Sequence, residues 1–305
     1  MKLQSLTWFL FALLILRCST ETEEVDYLPY YHLINAADYA RFQRLPIKAD
    51  SLYQAAFKLV RRPFYMDCLH AAENAVLISE KEVYAYLKKG MAWGLRLEMV
   101  EENKSFDSFR QTIYWSKLTQ SYPRQRKKYE ASINQELGKE LQCMLDIDQL
   151  VRTKPEEVEQ SMREVDDKNL DGLLTIIAEY GYPGYSLVGE EIGRAFPILF
   201  HHFQPYENEQ YFYDLLNTAM QTGELSPFRN AAFRDYDCLK KGEKIQYGIY
   251  HRDYLGEKTI YPIANKKQVN TRRHQMGLPT LEQYMEIRDL KYNPESDTLF
   301  QPEGF

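Results

Sequence analysis

The sequence predicts a mainly α protein carrying one small β-hairpin, and three observations predict it. Apolar residues recur at helical spacing along most of the chain, as at Leu52, Ala55, Ala56 and Leu59, or at Ile133, Leu137, Leu141 and Met144. Only two short stretches read as strands, 245–250 (IQYGIY) and 259–263 (TIYPI), and Gly256 lies between them where a hairpin turn needs it. With 44% hydrophobic residues the 305-residue chain can bury one large core or two modest ones, and it contains no low-complexity tract.

The first residues read differently from the rest. Lys2 gives a weak positive start, and 6–16 is an apolar run broken only by Thr7. A helix of that length rises about 16 Å, roughly half of a hydrocarbon core. Residues 1–17 therefore read as a signal peptide and not as a membrane span. Cys18, placed just after the run, resembles the acylated cysteine of a bacterial lipoprotein signal, although Arg17 stands where a small residue is usual. The resemblance implies an exported chain held at a membrane of the cell envelope by a lipid on Cys18. An acidic stretch comes next at 19–24, and 18–48 reads as a tyrosine-rich tether. If Cys18 carries lipid, Cys68, Cys143 and Cys238 remain, an odd number without metal-ligand spacing, expected as small buried hydrophobes.

Helical patterning begins after Pro46. Asp50 and Ser51 precede the first stripe, Pro63 ends that segment, and Leu69, Ala72 and Val76 form the next. Ser79 opens a third, carrying Val83, Leu87 and Met91 and ending near Gly94. The stretch 67–94 resembles the terminal unit of bacterial tetratricopeptide-like arrays, an Ala-rich helix followed by L-x-K-A-x-x-x-G, with Gly90 in the Ala position. Phe106, Phe109, Arg110 and Trp115 match the segment that trails such units. The resemblance implies a helix-turn-helix unit over 49–120, docked on the helical segment after it and suited to receiving a peptide.

From 121 to 290 the stripes continue as a helical domain. Arg124, Arg126, Lys127 and Lys128 precede a long helix from Tyr129, and a solvated face is the expected role of these cations. Further stripes pass through Val158, Met162 and Val165, then Leu170, Leu174 and Ile177; a turn stands at 180–184. Helices then run over 190–203, 211–220 and 228–239, and after the hairpin over 266–276 and 280–289, leaving 291–305 as a loose tail.

Residues of about 129–285 resemble an uncharacterised bacterial family of domains of unknown function. The matching pieces are Asp148-Gln149 with Arg152, then Asp166 and Asn169, GYPGYSLVG at 181–189, His202, Tyr247-Gly248, Pro262-Ile263, and VNTRRHQMGLPTLEQY at 269–284. The chain departs from the pattern at His202-Phe203-Gln204, Asp235-Tyr236, Ile245 and Asn270. The resemblance carries no activity with it, so chemistry must come from the residues.

His202 is the side chain best suited to proton transfer near neutral pH, with Asp235 to orient it and Tyr247 to donate to a substrate. Asp148, Gln149, Arg152, Arg272 and Arg273 are candidate ligand-binding groups, since Arg suits a carboxylate or phosphate. Plain alternatives stand beside each. His202 lies among Ile198, Leu199 and Phe203, as a core histidine would, and Arg272 and Arg273 point about 100° apart on a helix. The glycines at 181–189 lack the Lys-Ser/Thr of a phosphate loop, no metal-ligand spacing or Gly-x-Ser-x-Gly occurs, and no cofactor is expected. A net charge of -6 argues against nucleic acid as partner.

The expected function is that of an envelope protein binding a protein or peptide partner, ahead of a hydrolase or transferase acting on an anionic substrate. Cell fractionation checks export: the chain is expected in the envelope without residues 1–17. Recovery from cytosol with Met1 intact would overturn the signal.

Overall fold

A computed structural model describes residues 25–157, 160–200 and 209–293. The signal at 1–17, Cys18, His202 and all but the first residues of the tail lie outside this range. Within it the chain is mainly helical with one two-stranded antiparallel sheet, as the sequence predicts.

The segment expected as a tether is instead a central helix, α1 (Leu28–Phe42), which buries Tyr30, Tyr31, Ile34, Ala37 and Ala40. Its aromatic rings explain the difference, because they pack among one another and against distant segments. Tyr30 and Tyr31 lie 5.7 Å apart, Tyr31 and Phe64 5.8 Å, and Phe64 and Tyr185 5.3 Å. The Tyr31 hydroxyl donates to Met220 O at 2.7 Å, and Tyr27 N donates to Gln221 O at 2.8 Å.

Helix α2 (Pro46–Leu59) packs on α1, and α3 (Tyr65–Ala75) on α4 (Glu80–Ala92), giving two consecutive helix pairs. Pro46 in its first turn starts α2, ahead of the expected Ser51, so the buried face becomes Ala49, Tyr53, Ala56 and Phe57. Leu59, expected inside, is 44% exposed. Ser79 caps α4 as predicted, and Val83, Leu87 and Met91 are buried. A Cβ on Gly90 would lie 3.1 Å from Cys68 Cβ and 3.0 Å from Leu95 Cδ2, so the close approach of α3 and α4 requires a glycine-sized residue.

After α5 (Leu97–Glu101) the expected single long helix is two, α6 (Ile113–Glu130) and α7 (Gln135–Thr153). The side chain of Asn134 accepts from Leu137 N and starts α7 afresh. A capping box, Ser161 with Glu164, starts α8 (Met162–Tyr180). Three short helices come next, α9 (Tyr185–Val188), α10 (Glu190–Gly193) and α11 (Ala195–Phe200), then α12 (Glu209–Gln221) and α13 (Pro227–Lys240). Leu137, Leu141, Leu173, Phe196, Phe200, Phe212 and Phe233 form the core of this bundle. Cys68 and Cys238 are buried as expected, whereas Cys143 on α7 is exposed.

The hairpin pairs β1 (His251–Tyr254) with β2 (Glu257–Ile260), turning at Leu255 and Gly256, both at positive φ. It begins six residues later than expected. Only the ends of the run 245–250 pair, Ile245 in a bridge with Ile263 and Tyr250 O with Tyr261 N, because side chains hold the backbone between them. Asp235 on α13 accepts from the N–H groups of Gln246, Tyr247 and Ile249, each at 2.8 Å. From the other side Arg272 Nε donates to Gln246 O at 2.9 Å and Arg273 Nη1 to Tyr247 O at 2.5 Å. Both arginines sit on α14 (Val269–Gln275), and α15 (Leu281–Arg288) closes the fold with a capping box, Thr280 with Gln283. Gly248, at φ +73°, lets the chain curl round the carboxylate.

Replacing Asp235 by Ala leaves two buried donors, Tyr247 N and Ile249 N, without their acceptor, each costing about 1–3 kcal/mol, while Gln246 N is only part-buried. The variant is expected to lose at least about 2 kcal/mol, read from its denaturant midpoint against the wild-type chain.

Candidate functional site

The side chains best placed for chemistry come from the first three helices. Asp38 leaves α1 toward α2 and α3, where it accepts a hydrogen bond from the Tyr53 hydroxyl. Its Oδ1 lies 3.3 Å from His70 Nδ1 and 4.0 Å from Arg41 Nε. Arg41 is fixed in turn by Glu73, at 2.7 Å. On α3, Asp67 stands one turn before His70 and accepts from the Tyr30 hydroxyl at 2.5 Å, while Tyr30 accepts from Phe64 N at 3.1 Å.

The two carboxyls titrate in opposite directions. Burial pushes Asp67 up, the neighbouring Asp38 charge pushes it further, and it reaches about 7 despite the Tyr30 hydrogen bond and His70. Burial would raise Asp38 as well, but the His70 contact, the Tyr53 hydroxyl and Arg41 bring it below the ordinary range. His70 loses to burial and gains more from Asp38, ending above its usual value. Near neutral pH the cluster thus holds one ionised carboxylate and one that exchanges its proton, beside a histidine.

Both carboxyls line a cavity of about 260 Å³. Tyr31, Ile34, Phe64, Phe228, Leu278 and Tyr284 give it apolar walls. Asp38 and Asp67 keep part of their surface open to it. Arg288, exposed at the rim, and buried Arg273 add positive charge. Arg273 Nη2 has no hydrogen-bond partner, although its guanidinium lies 4.8 Å from the Tyr284 ring centre. Burial lowers the Arg273 pKa to about 10, which leaves it charged at neutral pH. The cavity is therefore apolar in its walls, acidic where α1 and α3 meet, and basic toward α14 and α15.

The residues singled out in the sequence fall into two other places. Asp235, Tyr247, Arg272 and Arg273 do come together, but around the backbone of 245–249, and the only one of them to line the cavity is Arg273. Burial raises Asp235 to about 6 in spite of the three N–H groups it accepts from, and it is fully enclosed. In this position it organises the backbone of 245–249; His202, its expected partner, lies outside the described residues. Tyr247 is buried in the core, which corrects its expected role as a donor to substrate. Arg272 is corrected likewise, since it holds the carbonyls of Gln246 and Ala264.

Asp148, Gln149 and Arg152 also meet, on α7. Gln149 donates to Asp148 at 2.7 Å, and Arg152 joins Asp148 at 3.4 Å to Asp166 of α8 at 2.6 Å. This network clamps α7 to α8 and is separate from the cavity. The pattern did not single out Asp38, Asp67 and His70. Their one sequence signal is that Asp67, His70 and Glu73 recur every third residue along one helix, YMDCLHAAENA.

A family model described as a family of unknown function (DUF6624) matches residues 135–294. No curated protein and no solved structure matches the chain.

A carboxyl kept protonated by the fold, but ionised in the unfolded chain, contributes stability that is complete below about pH 4 and lost as pH rises toward 7. Asp67→Asn removes that loss. The melting temperature of the variant relative to wild type is expected to be more favourable at pH 8 than at pH 5. An offset that stays constant with pH would show Asp67 titrating as an ordinary carboxylate.

Proposed function

This chain belongs to the family of unknown function DUF6624, and from that premise we propose that it is a binding protein of the cell envelope. Its ligand is of amino-acid to short-peptide size, with a cationic or hydrogen-bond-donating group for Asp38 and Asp67 and an anionic group for Arg273 and Arg288. One observation carries the reading: a cavity of about 260 Å³ joins two carboxyls to a buried guanidinium whose Nη2 has no hydrogen-bond partner. A buried unpaired donor is costly, and a carboxylate brought by a ligand would offset that cost through a charge-assisted bond. The envelope location is supported by the apolar run at 6–16 and by Cys18 behind it, with a lipid on Cys18 as the membrane anchor. A peptide presented by another envelope protein is the partner this cavity suits.

A second reading is favoured by a separate observation. Asp38 is held low and Asp67 high in one cavity beside His70, and such divergence is how carboxyl pairs divide the roles of base and acid. In that reading the protein is a hydrolase or transferase, with Asp38 and His70 on the base side and Asp67 as the proton donor.

Titration calorimetry of the full chain against free amino acids and dipeptides tests binding. A member of the panel is expected to bind, with affinity at least tenfold weaker in both Asp67→Asn and Arg288→Ala. Failure of the whole panel, or binding indifferent to both substitutions, would overturn the reading. Release of product from a bound dipeptide, with a rate that falls above about pH 7 and is lost in Asp67→Asn, would select the enzyme.

A further inference from the structure

A second concavity lies on another face of the molecule, where the end of α4 meets α6. It encloses about 770 Å³, a volume within the range of ordinary small-molecule sites. Four cations line it: Arg61 from the turn after α2, Lys88 from α4, and Arg124 and Lys128, one turn apart on α6. Its lining includes no carboxylate, in a chain whose net charge is -6. Among the described residues Arg61, Arg124 and Lys128 take part in no ion pair, and Lys88 has only the Tyr84 ring, at 5.6 Å. Arg126, between them in sequence, turns away to Glu130 and Gly94 O. The basic run on α6 is thus sorted by helical phase: Arg126 is neutralised locally, Arg124 and Lys128 line the concavity, and exposed Lys127 does not.

The inner end is aromatic. Trp93, half-buried at the end of α4, and Tyr129 line the groove and also a smaller pocket of about 110 Å³ that continues from it toward Glu190. Like-charged groups gathered without counter-charge repel one another, and an anion relieves that repulsion. Guanidinium groups match phosphate oxygens in pairs, and an indole face offers a flat apolar surface to a ring.

We propose that this groove binds a small phosphate-bearing ligand, the phosphates at Arg61, Lys88, Arg124 and Lys128 and a ring stacked on Trp93. Nucleotides and sugar phosphates share that chemistry. The site is separate from the acidic cavity and does not rest on the function proposed for it. A concave, aromatic-ended shape favours such a ligand over a flat membrane surface, which would need the cations on a convex face.

Calorimetry on the full chain at low salt, with pyrophosphate, adenosine diphosphate and fructose 1,6-bisphosphate as probes, tests the assignment. All three are expected to bind, and one of the ring-bearing probes to bind at least tenfold more tightly than pyrophosphate; which one does so identifies the source. Arg124→Glu with Lys128→Glu, both at exposed positions, is expected to weaken every probe at least tenfold with an unchanged melting temperature. Trp93→Leu is expected to cancel the advantage of the ring and leave pyrophosphate binding intact. Equal affinity for the three probes, no binding of any, or binding unaffected by the charge reversals would each overturn the proposal. So would silent probes combined with sedimentation on phosphatidylglycerol vesicles that the charge reversals abolish, which would assign the groove to a membrane surface.

Discussion

The contact between the tyrosine face of α1 and the segments around Phe64, Tyr185 and Met220 organises the molecule. It brings the N-terminal helix pairs and the family domain into one core, since Tyr30, Tyr31 and Leu69 share a cluster with Met220, Ala231, Ile249 and Leu278. Ring packing of this kind adds about 0.5–1.5 kcal/mol per pair beyond burial. The hydroxyls matter at a similar scale. Those of Tyr27, Tyr30 and Tyr31 reach Arg62 O, Asp67 and Met220 O, and a Phe at any of these positions would remove one such bond at about 1 kcal/mol. The excess of 24 tyrosines over 15 phenylalanines has at least one physical reason at this junction.

Two buried aspartates show how similar titration can serve different ends. Asp235 and Asp67 are both pushed up by burial, to about 6 and about 7. Asp235 accepts from three backbone N–H groups and is sealed, so its charge organises a loop. Asp67 has the Tyr30 hydroxyl and an opening into a cavity. What separates the two carboxyls here is the number of fixed donors and the presence of an open side.

Much of the fold was legible because it rests on local signals. Ser79 did open α4, Gly256 did turn the hairpin, and the stripes on α4 and α7 did face inward. The misreadings share a cause, which is contact between residues far apart in sequence. Residues 28–42 read as a tether because their tyrosines find their partners some 190 residues away, at Met220 and Leu225. The run 245–250 alternates like a strand, yet Asp235 and two arginines of α14 claim its backbone groups. The expected site residues were identified by type, and four of the eight, Asp235, Tyr247, Arg272 and Arg273, proved to be the pieces of that clasp. The cavity, in turn, needs α1, α3, α14 and α15 together, and no local window contains them.

The cavity also has a mixed lineage. Its acidic half, Asp38 and Asp67, lies before the stretch 135–294 that defines the family, and its basic half, Arg273 and Arg288, lies within it. In a relative that kept these two arginines behind a different leading segment, the guanidinium groups would meet whatever charges that segment brought. With the cavity binding as proposed, ligand preference would then be inherited in two parts. The shared domain would set the anion-binding end, and the segment in front of it would act as an exchangeable selector, free to diversify without disturbing the fold that receives it.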